Sequence, residues 1–239
     1  MVQTPTSTPS PVPLSWPEID TVLLDMDGTL LDLAFDDRFF REIVPAAYGR
    51  RHGLAFEEAR HRVFAAYKTV ERTLPWYDID YWSETLEIDV AALKTDHADG
   101  IRLLPHTLTF LKALQVSGRT LFLVTNAHPS SLSLKMAQTG IAPYFRAILS
   151  SHQLGLPKEE ITFWARLAEK LHLDLNTCLL IEDAEAVLRS ARRAGMPHLL
   201  HCAAPSSTLP TRYSAEFPSV ARLTELLPIP GIEIARNMI

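Results

Sequence analysis

Val22-Leu23-Leu24-Asp25-Met26-Asp27-Gly28-Thr29-Leu30 constrains this chain more than any other stretch. Its first half is an unbroken apolar run, the pattern of a strand buried on both faces of a parallel sheet. Its second half carries two carboxylates one residue apart and then a glycine. Strand alternation sends Asp25 and Asp27 the same way, and Gly28 permits the sharp turn that leaves the sheet. An Asp-Gly pair can simply mark a turn. A chance Asp-x-Asp-Gly-Thr, however, is expected in only on the order of a few chains per thousand of this length. Two acids at the mouth of a buried strand repel each other unless a cation or a shared proton compensates. A divalent, oxygen-seeking ion such as Mg²⁺ fits that need. The matching chemistry is attack by one carboxylate on phosphorus while the other handles protons.

The remaining chain repeats the strand–helix theme. Thr120–Val124, Arg146–Ser150, Thr177–Ile181 and His198–Leu200 read as four further strands. Between them lie helices that start at Pro105, at Pro129 and at Lys158, and one from Ala184 to Ala194. The helix from Lys158 is expected to bury Ile161, Trp164, Ala168 and Leu171. Alternating strands and helices predict an α/β fold, a doubly wound parallel sheet of about five strands. From about Leu33 to Leu103 the texture changes to helical spacing without strands, as in Phe56, Ala59, Val63, Ala66 and Tyr67. The predicted division is a Pro/Ser-rich tail over 1–15, an α/β core over 16–32 and 104–239, and an inserted α-helical cap over 33–103. The proline-rich stretch from Ser206 is expected to wrap the surface, with a short helix near Val220 to Leu226.

Ligands of such sheets sit at the carboxyl ends of the strands. There the pattern puts Asp25 and Asp27, then Thr125 and Asn126, Lys158 in a following loop, and Glu182 with Asp183. Singly, a first-turn lysine is a solvated residue and Glu-Asp a helix cap. Together they make one cleft for an anion and a cation.

The 239 residues carry a net charge of −5 and no basic block, which excludes a nucleic-acid polymer as partner. At 47% hydrophobic residues the chain can bury a sizeable core. No run is long enough to span a membrane, and the N-terminus lacks the basic start and apolar core of a secretion signal. Cys178 and Cys202 lack metal-ligand spacing, and Cys178 reads as a small core residue. A reducing, cytoplasmic location is expected.

Asp25-Met26-Asp27-Gly28-Thr29, Thr125-Asn126, Lys158 and Glu182-Asp183, in that order, resemble the four motifs of the haloacid dehalogenase-like phosphohydrolases. The resemblance implies a Rossmann-like core in which Asp25 forms an aspartyl-phosphate. It implies that Asp27 protonates the leaving oxygen and then activates water. Thr125 would bind the phosphoryl group with Asn126 in support, and Lys158 would balance charge. Asp25, Asp183 and the main chain of Asp27 would hold Mg²⁺, with Mn²⁺ or Co²⁺ able to replace it. Glu182 stands where many relatives carry aspartate or glycine, and is a further candidate ligand. The sequence Leu24–Asp36, the aromatic string Trp76–Glu84 and Thr125-Asn126-Ala127-His128-Pro129 are similar to the bacterial GMP/IMP 5′-nucleotidase branch. This implies a purine nucleoside monophosphate as the small-molecule partner, handled by a monomer or weak homo-oligomer. Two of the four tryptophans and two of the six tyrosines lie between Trp76 and Trp82. They can stack on a base or build the core of the cap. Phe35, Tyr77, Tyr81 and His128 are the substrate-binding candidates, and Asp36 and Arg38 can form the pocket edge. Competing readings keep the motifs but change the outcome: a phosphatase for phosphoglycolate or a sugar phosphate, a phosphomutase, or a phosphate-binding module without turnover.

Overall fold

The computed structural model describes residues Leu14–Ile232. The predicted tail over 1–15 thus falls almost entirely outside the described residues. Among these residues, six parallel strands form one sheet in the order β3-β2-β1-β4-β5-β6. They are β1 (Thr21–Leu24), β2 (Thr120–Thr125), β3 (Ala147–Ser150), β4 (Cys178–Glu182), β5 (His198–Cys202) and β6 (Ser219–Val220). β1 lies at the centre, with Leu24 paired to Leu123 of β2 and to Ile181 of β4. All residues of β1 and β4 are buried, as helices on both faces of a parallel sheet require.

Among the described residues, nine α-helices alternate with or precede these strands: α1 (Ala34–Arg38), α2 (Val44–His52), α3 (Phe56–Thr69), α4 (Ile79–Leu86), α5 (Val90–Asp96), α6 (Thr107–Val116), α7 (Pro129–Thr139), α8 (Ile161–Leu171) and α9 (Glu185–Arg193). Neighbouring strand residues feed opposite layers. Val22, Leu24, Leu121 and Leu123 pack with Phe110, Leu111 and Leu114 of α6. Leu23, Phe122, Val124 and Leu180 pack with Phe163, Trp164 and Leu167 of α8 and with Val187, Leu188 and Ala191 of α9. The stretch from Ala34 to Gly100 holds α1 to α5, short 3-10 turns and a π-helical turn, and no named strand. Its interior is aromatic: Tyr67 lies edge-on to Trp76 and Trp82, and the Trp82 indole N–H donates to the Trp76 carbonyl at 2.9 Å.

Four details depart from the sequence expectation. The sheet has a sixth strand, and Val220 belongs to it while only Leu223–Leu226 coils into a 3-10 turn. A two-residue strand is too short to show periodicity. Pro105 lies outside α6, because His106 takes φ +67° as the N-cap and the helix starts at Thr107. The buried stripe of α8 is Phe163, Trp164 and Leu167, with Ile161, Ala168 and Leu171 only half-buried. In α3, Ala59, Val63 and Tyr67 turn inward but Phe56 is 41% exposed. No helix among the described residues is long and apolar enough to cross a membrane.

Candidate active site

After β1 the chain does not fray. The Asp25 N–H still bonds the Ile181 carbonyl of β4 at 3.1 Å, and the Leu30 and Leu31 amides return to the Met26 carbonyl at 2.9 Å. This turn needs Gly28, whose φ is +85°. A Cβ there would stand 2.5 Å from Asp183 Oδ2, so the loop is packed directly against that carboxylate.

Lys158 lies in the turn before α8, three residues ahead of its first residue, and not in the helix itself. Its buried Nζ donates to Asp25 Oδ1, to Glu182 Oε2 at 2.6 Å and to the Val124 carbonyl at 3.0 Å. Burial acts to discharge this ammonium, but Asp25 and Glu182 outweigh it and hold its pKa above the usual lysine range. Burial pushes Asp25 up to about 7, helped by Glu182 and opposed by Lys158. Asp183 is also driven up, by burial and then by Glu182 and Asp25. The site thus carries more buried negative charge than one lysine relieves.

That excess suits a hard divalent cation. Asp25, Glu182 and Asp183 present carboxylate oxygens that all lie within 4.8 Å of one another, an all-oxygen set of the kind Mg²⁺ takes. Glu182 is the most committed of the three, since its second oxygen accepts from the Ala184 N–H at 3.2 Å.

Asp27 has a different partner. Lys135 of α7, buried, places Nζ 2.7 Å from Asp27 Oδ1 and 2.5 Å from Asp36 Oδ2, and Lys94 of α5 reaches Asp36 Oδ1 at 2.8 Å. Burial raises Asp27 to about 6 against the pull of Lys135. Burial would also raise Asp36, but its two lysines overcome that and hold it well below the usual carboxylate range. The sequence places Asp36 only at the pocket edge and gives Lys94 and Lys135 no role. The signal for Lys135 was its spacing three residues after Leu132, on the buried face of α7.

The buried Thr125 and Asn126 stand at the end of β2. Thr125 Oγ1 accepts from the Ala127 N–H at 3.1 Å. Asn126 Oδ1 accepts from the Lys158 N–H and its Nδ2 donates to Glu159 Oε2, both at 2.9 Å. Glu159, which no sequence motif marks, also accepts from the Tyr77 hydroxyl at 2.5 Å.

A cleft of about 580 Å³ joins these groups to the helical stretch; its lining includes Asp25, Asp27, Thr125, Lys158, Tyr77 and Trp76. Asn126, His128, Glu182 and Asp183 also line it. Phe35, Tyr81 and Arg38 are not brought to it. Phe35 is buried, stacked on Phe39 and pressed against Gly100. Tyr81 lies edge-on to Trp82, and Arg38 extends into solvent near Glu42. His128 faces the helical stretch, with Nε2 3.6 Å from both Asp78 and Asp80. His152 completes a group with Asp78 and His128 whose potential ligand atoms lie within 4.8 Å. These groups serve helix ends first: Asp78 caps α4, and His128 Nδ1 accepts from the Ser130 N–H at 3.4 Å to cap α7.

Comparison with known proteins agrees with this geometry. The chain is 39% identical over 215 residues to the GMP/IMP nucleotidase YrfG of Escherichia coli, covering 90% of this chain and 97% of that protein. Among solved structures, a HAD phosphatase from Thermococcus onnurineus superposes with a TM-score of 0.75 at 20% identity, covering 90% of this chain and 100% of that one. The L-2-haloacid dehalogenase of Xanthobacter autotrophicus gives 0.59 at 17% identity, covering 87% and 96%. The sequence profile of the haloacid dehalogenase-like hydrolases matches residues 19–195, and the chain belongs to that family.

Proposed function

We propose that this protein is a Mg²⁺-dependent 5′-nucleotidase that hydrolyses purine nucleoside monophosphates such as GMP and IMP. The observation that carries the reading is the meeting of Asp25 with Lys158, Glu182 and Asp183 in one buried cluster at the ends of β1 and β4. The near full-length likeness to YrfG supports the substrate. So does the cleft, whose 580 Å³ would be largely empty around phosphoglycolate but suits a ligand of nucleotide size.

In this reading a carboxylate oxygen of Asp25 attacks phosphorus, and the bond from phosphorus to the 5′-oxygen breaks. Asp27 gives the leaving oxygen its proton, then takes one from water as water attacks the aspartyl-phosphate. The Asp25–phosphorus bond breaks and inorganic phosphate leaves. Lys158 favours the ionised form of Asp25 and offers positive charge to a phosphoryl oxygen. Thr125 and Asn126 supply hydroxyl, amide and backbone donors for the other oxygens. Mg²⁺ held by Asp25, Asp183 and the Asp27 main chain would add the charge that neutralises phosphate and carboxylate together. Residues 33–103 act as a cap whose aromatic wall meets the base. The two buried free thiols, Cys178 and Cys202, fit a reducing cytoplasm.

A substrate panel tests this. IMP and GMP should release free phosphate with kcat/KM above AMP, phosphoglycolate and glucose 1-phosphate, and chelator should stop turnover. Isomerised sugar phosphate in place of free phosphate would point to a mutase, and equal rates across the panel would remove the nucleotide assignment. Asp25→Asn should fold normally and lose turnover by a factor of at least about 10³, as expected on removing a covalent nucleophile. Substantial residual activity in that variant would count against covalent catalysis.

A further inference from the structure

Glu159 follows Lys158 directly and touches both halves of the molecule. One oxygen accepts from the Tyr77 hydroxyl, in the 3-10 turn Leu74–Tyr77 of the helical stretch, at 2.5 Å. The other accepts from Asn126 Nδ2 at 2.9 Å, and Asn126 Oδ1 in turn takes the Lys158 N–H at 2.9 Å. This amide has a single orientation that satisfies both partners, because a carboxylate only accepts and a backbone N–H only donates. The carbonyl of Lys158 is tied on its other side by the Ser190 hydroxyl, which the Trp164 indole holds at 2.8 Å. The backbone of Lys158 is therefore clamped from two directions. One clamp is wholly within the core, and the other ends on a residue of the helical stretch.

The arrangement differs from an ordinary surface bond. Tyr77 and Glu159 are both half-buried, and both line the cleft. Loss of the phenol leaves a partly desolvated carboxylate short of a donor, and its other oxygen is the one that orients Asn126. Any shift of Asn126 is passed to the Lys158 backbone, whose side chain fixes Asp25.

We infer that Glu159 is a positioning residue that couples docking of the helical stretch, through Tyr77, to the placement of Asn126 and Lys158. The inference rests on the phosphohydrolase reading above. It makes full assembly of the phosphate site depend on a contact that a substrate-enclosing cap would make or break.

The test is a double-mutant cycle on the full chain with Mg²⁺, read with both IMP and a small aryl phosphate. Glu159→Ala should lower kcat about tenfold on both substrates, the size expected when a catalytic group is slightly misplaced. Tyr77→Phe, a mild change that keeps the ring, should lower it roughly threefold. The double variant should be no slower than Glu159→Ala alone. Glu159→Gln should recover part of the loss, since its amide oxygen can still accept from Asn126 and its NH₂ can face the phenol oxygen. Multiplicative losses in the double variant would overturn the coupling. So would a rise in KM for IMP with aryl phosphate turnover untouched, which would make Glu159 a substrate contact. A wild-type protein that releases phosphate from neither substrate would overturn the phosphohydrolase reading itself, and the inference with it.

Discussion

Gly28 shows how little room surrounds the acid cluster. Its φ of +85° lies in the left-handed region, and an added Cβ would meet Asp183 Oδ2 at 2.5 Å and Pro205 Cβ at 3.0 Å. Gly28→Ala therefore combines backbone strain with displacement of a carboxylate assigned to the metal. Strain of this kind costs about 1–3 kcal/mol. The larger effect should be on metal use: the Mg²⁺ concentration for half-maximal activity should rise at least about tenfold, as for other disturbances of a metal's surroundings. A magnesium titration of phosphate release checks this, and an unchanged midpoint in a folded variant would show that Asp183 moves freely. Other residues of the site could be read from the chain because their neighbours announce them. Asp25 and Asp27 follow an apolar run, and Glu182 and Asp183 close another. Glu159 gave no such sign: a glutamate beside a lysine in a polar turn is ordinary, and only the fold brings Tyr77, 82 residues earlier, to its side.

Between elements, α1, α5 and α7 meet through two buried lysines and one half-buried carboxylate. Asp36 of α1 accepts from Lys94 of α5 and from Lys135 of α7, and Lys135 continues to Asp27. The lysine side chains are only 4% and 2% exposed; without Asp36, Lys135 keeps Asp27 but the buried Lys94 loses its carboxylate. Asp36→Asn should cost about 3–5 kcal/mol of stability, the usual result of leaving buried charge uncompensated. Urea unfolding would measure it, and a loss below about 1 kcal/mol would mean that water already screens the pair. Such a network is hard to foresee, because lysine on a helix is ordinarily solvated and its burial becomes sensible only with a carboxylate from a distant element. The strands were legible for the opposite reason. Runs such as Cys178–Ile181 need no distant partner to be recognised as doubly covered, whereas the two residues of β6 carry too little pattern. Phe35 and Tyr81 illustrate the same ambiguity among aromatics: either could meet a ligand or a core, and packing buries Phe35 in the core and lays the half-buried Tyr81 against it.

At the scale of the whole molecule, the acid cluster is a destabilising element that a bound cation would relieve. Asp25 and Asp27 are pushed by burial up to about 7 and about 6, and Asp183 moves the same way. In the unfolded chain all three ionise near the ordinary value of 3.8. Below that pH both states hold the protons and burial exacts no penalty. As pH rises through 6 to 7, the unfolded chain has already released its protons and the folded chain resists doing so, so this contribution to stability is lost. Asp36 has the opposite sign: its depressed pKa supports folding above 3.8 and fails only on acidification below it. Chelator-treated protein should therefore melt at a higher temperature at pH 5.5 than at pH 8. Added Mg²⁺ should reverse the order, because it competes with protons for the same oxygens and stabilises the fold most where they are deprotonated. Thermal melts at both pH values, with chelator and with saturating Mg²⁺, give the four numbers needed. A Mg²⁺ shift as large at pH 5.5 as at pH 8 would mean that the cation does not bind at Asp25 and Asp183, and the Asp183→Asn variant should abolish the shift at either pH.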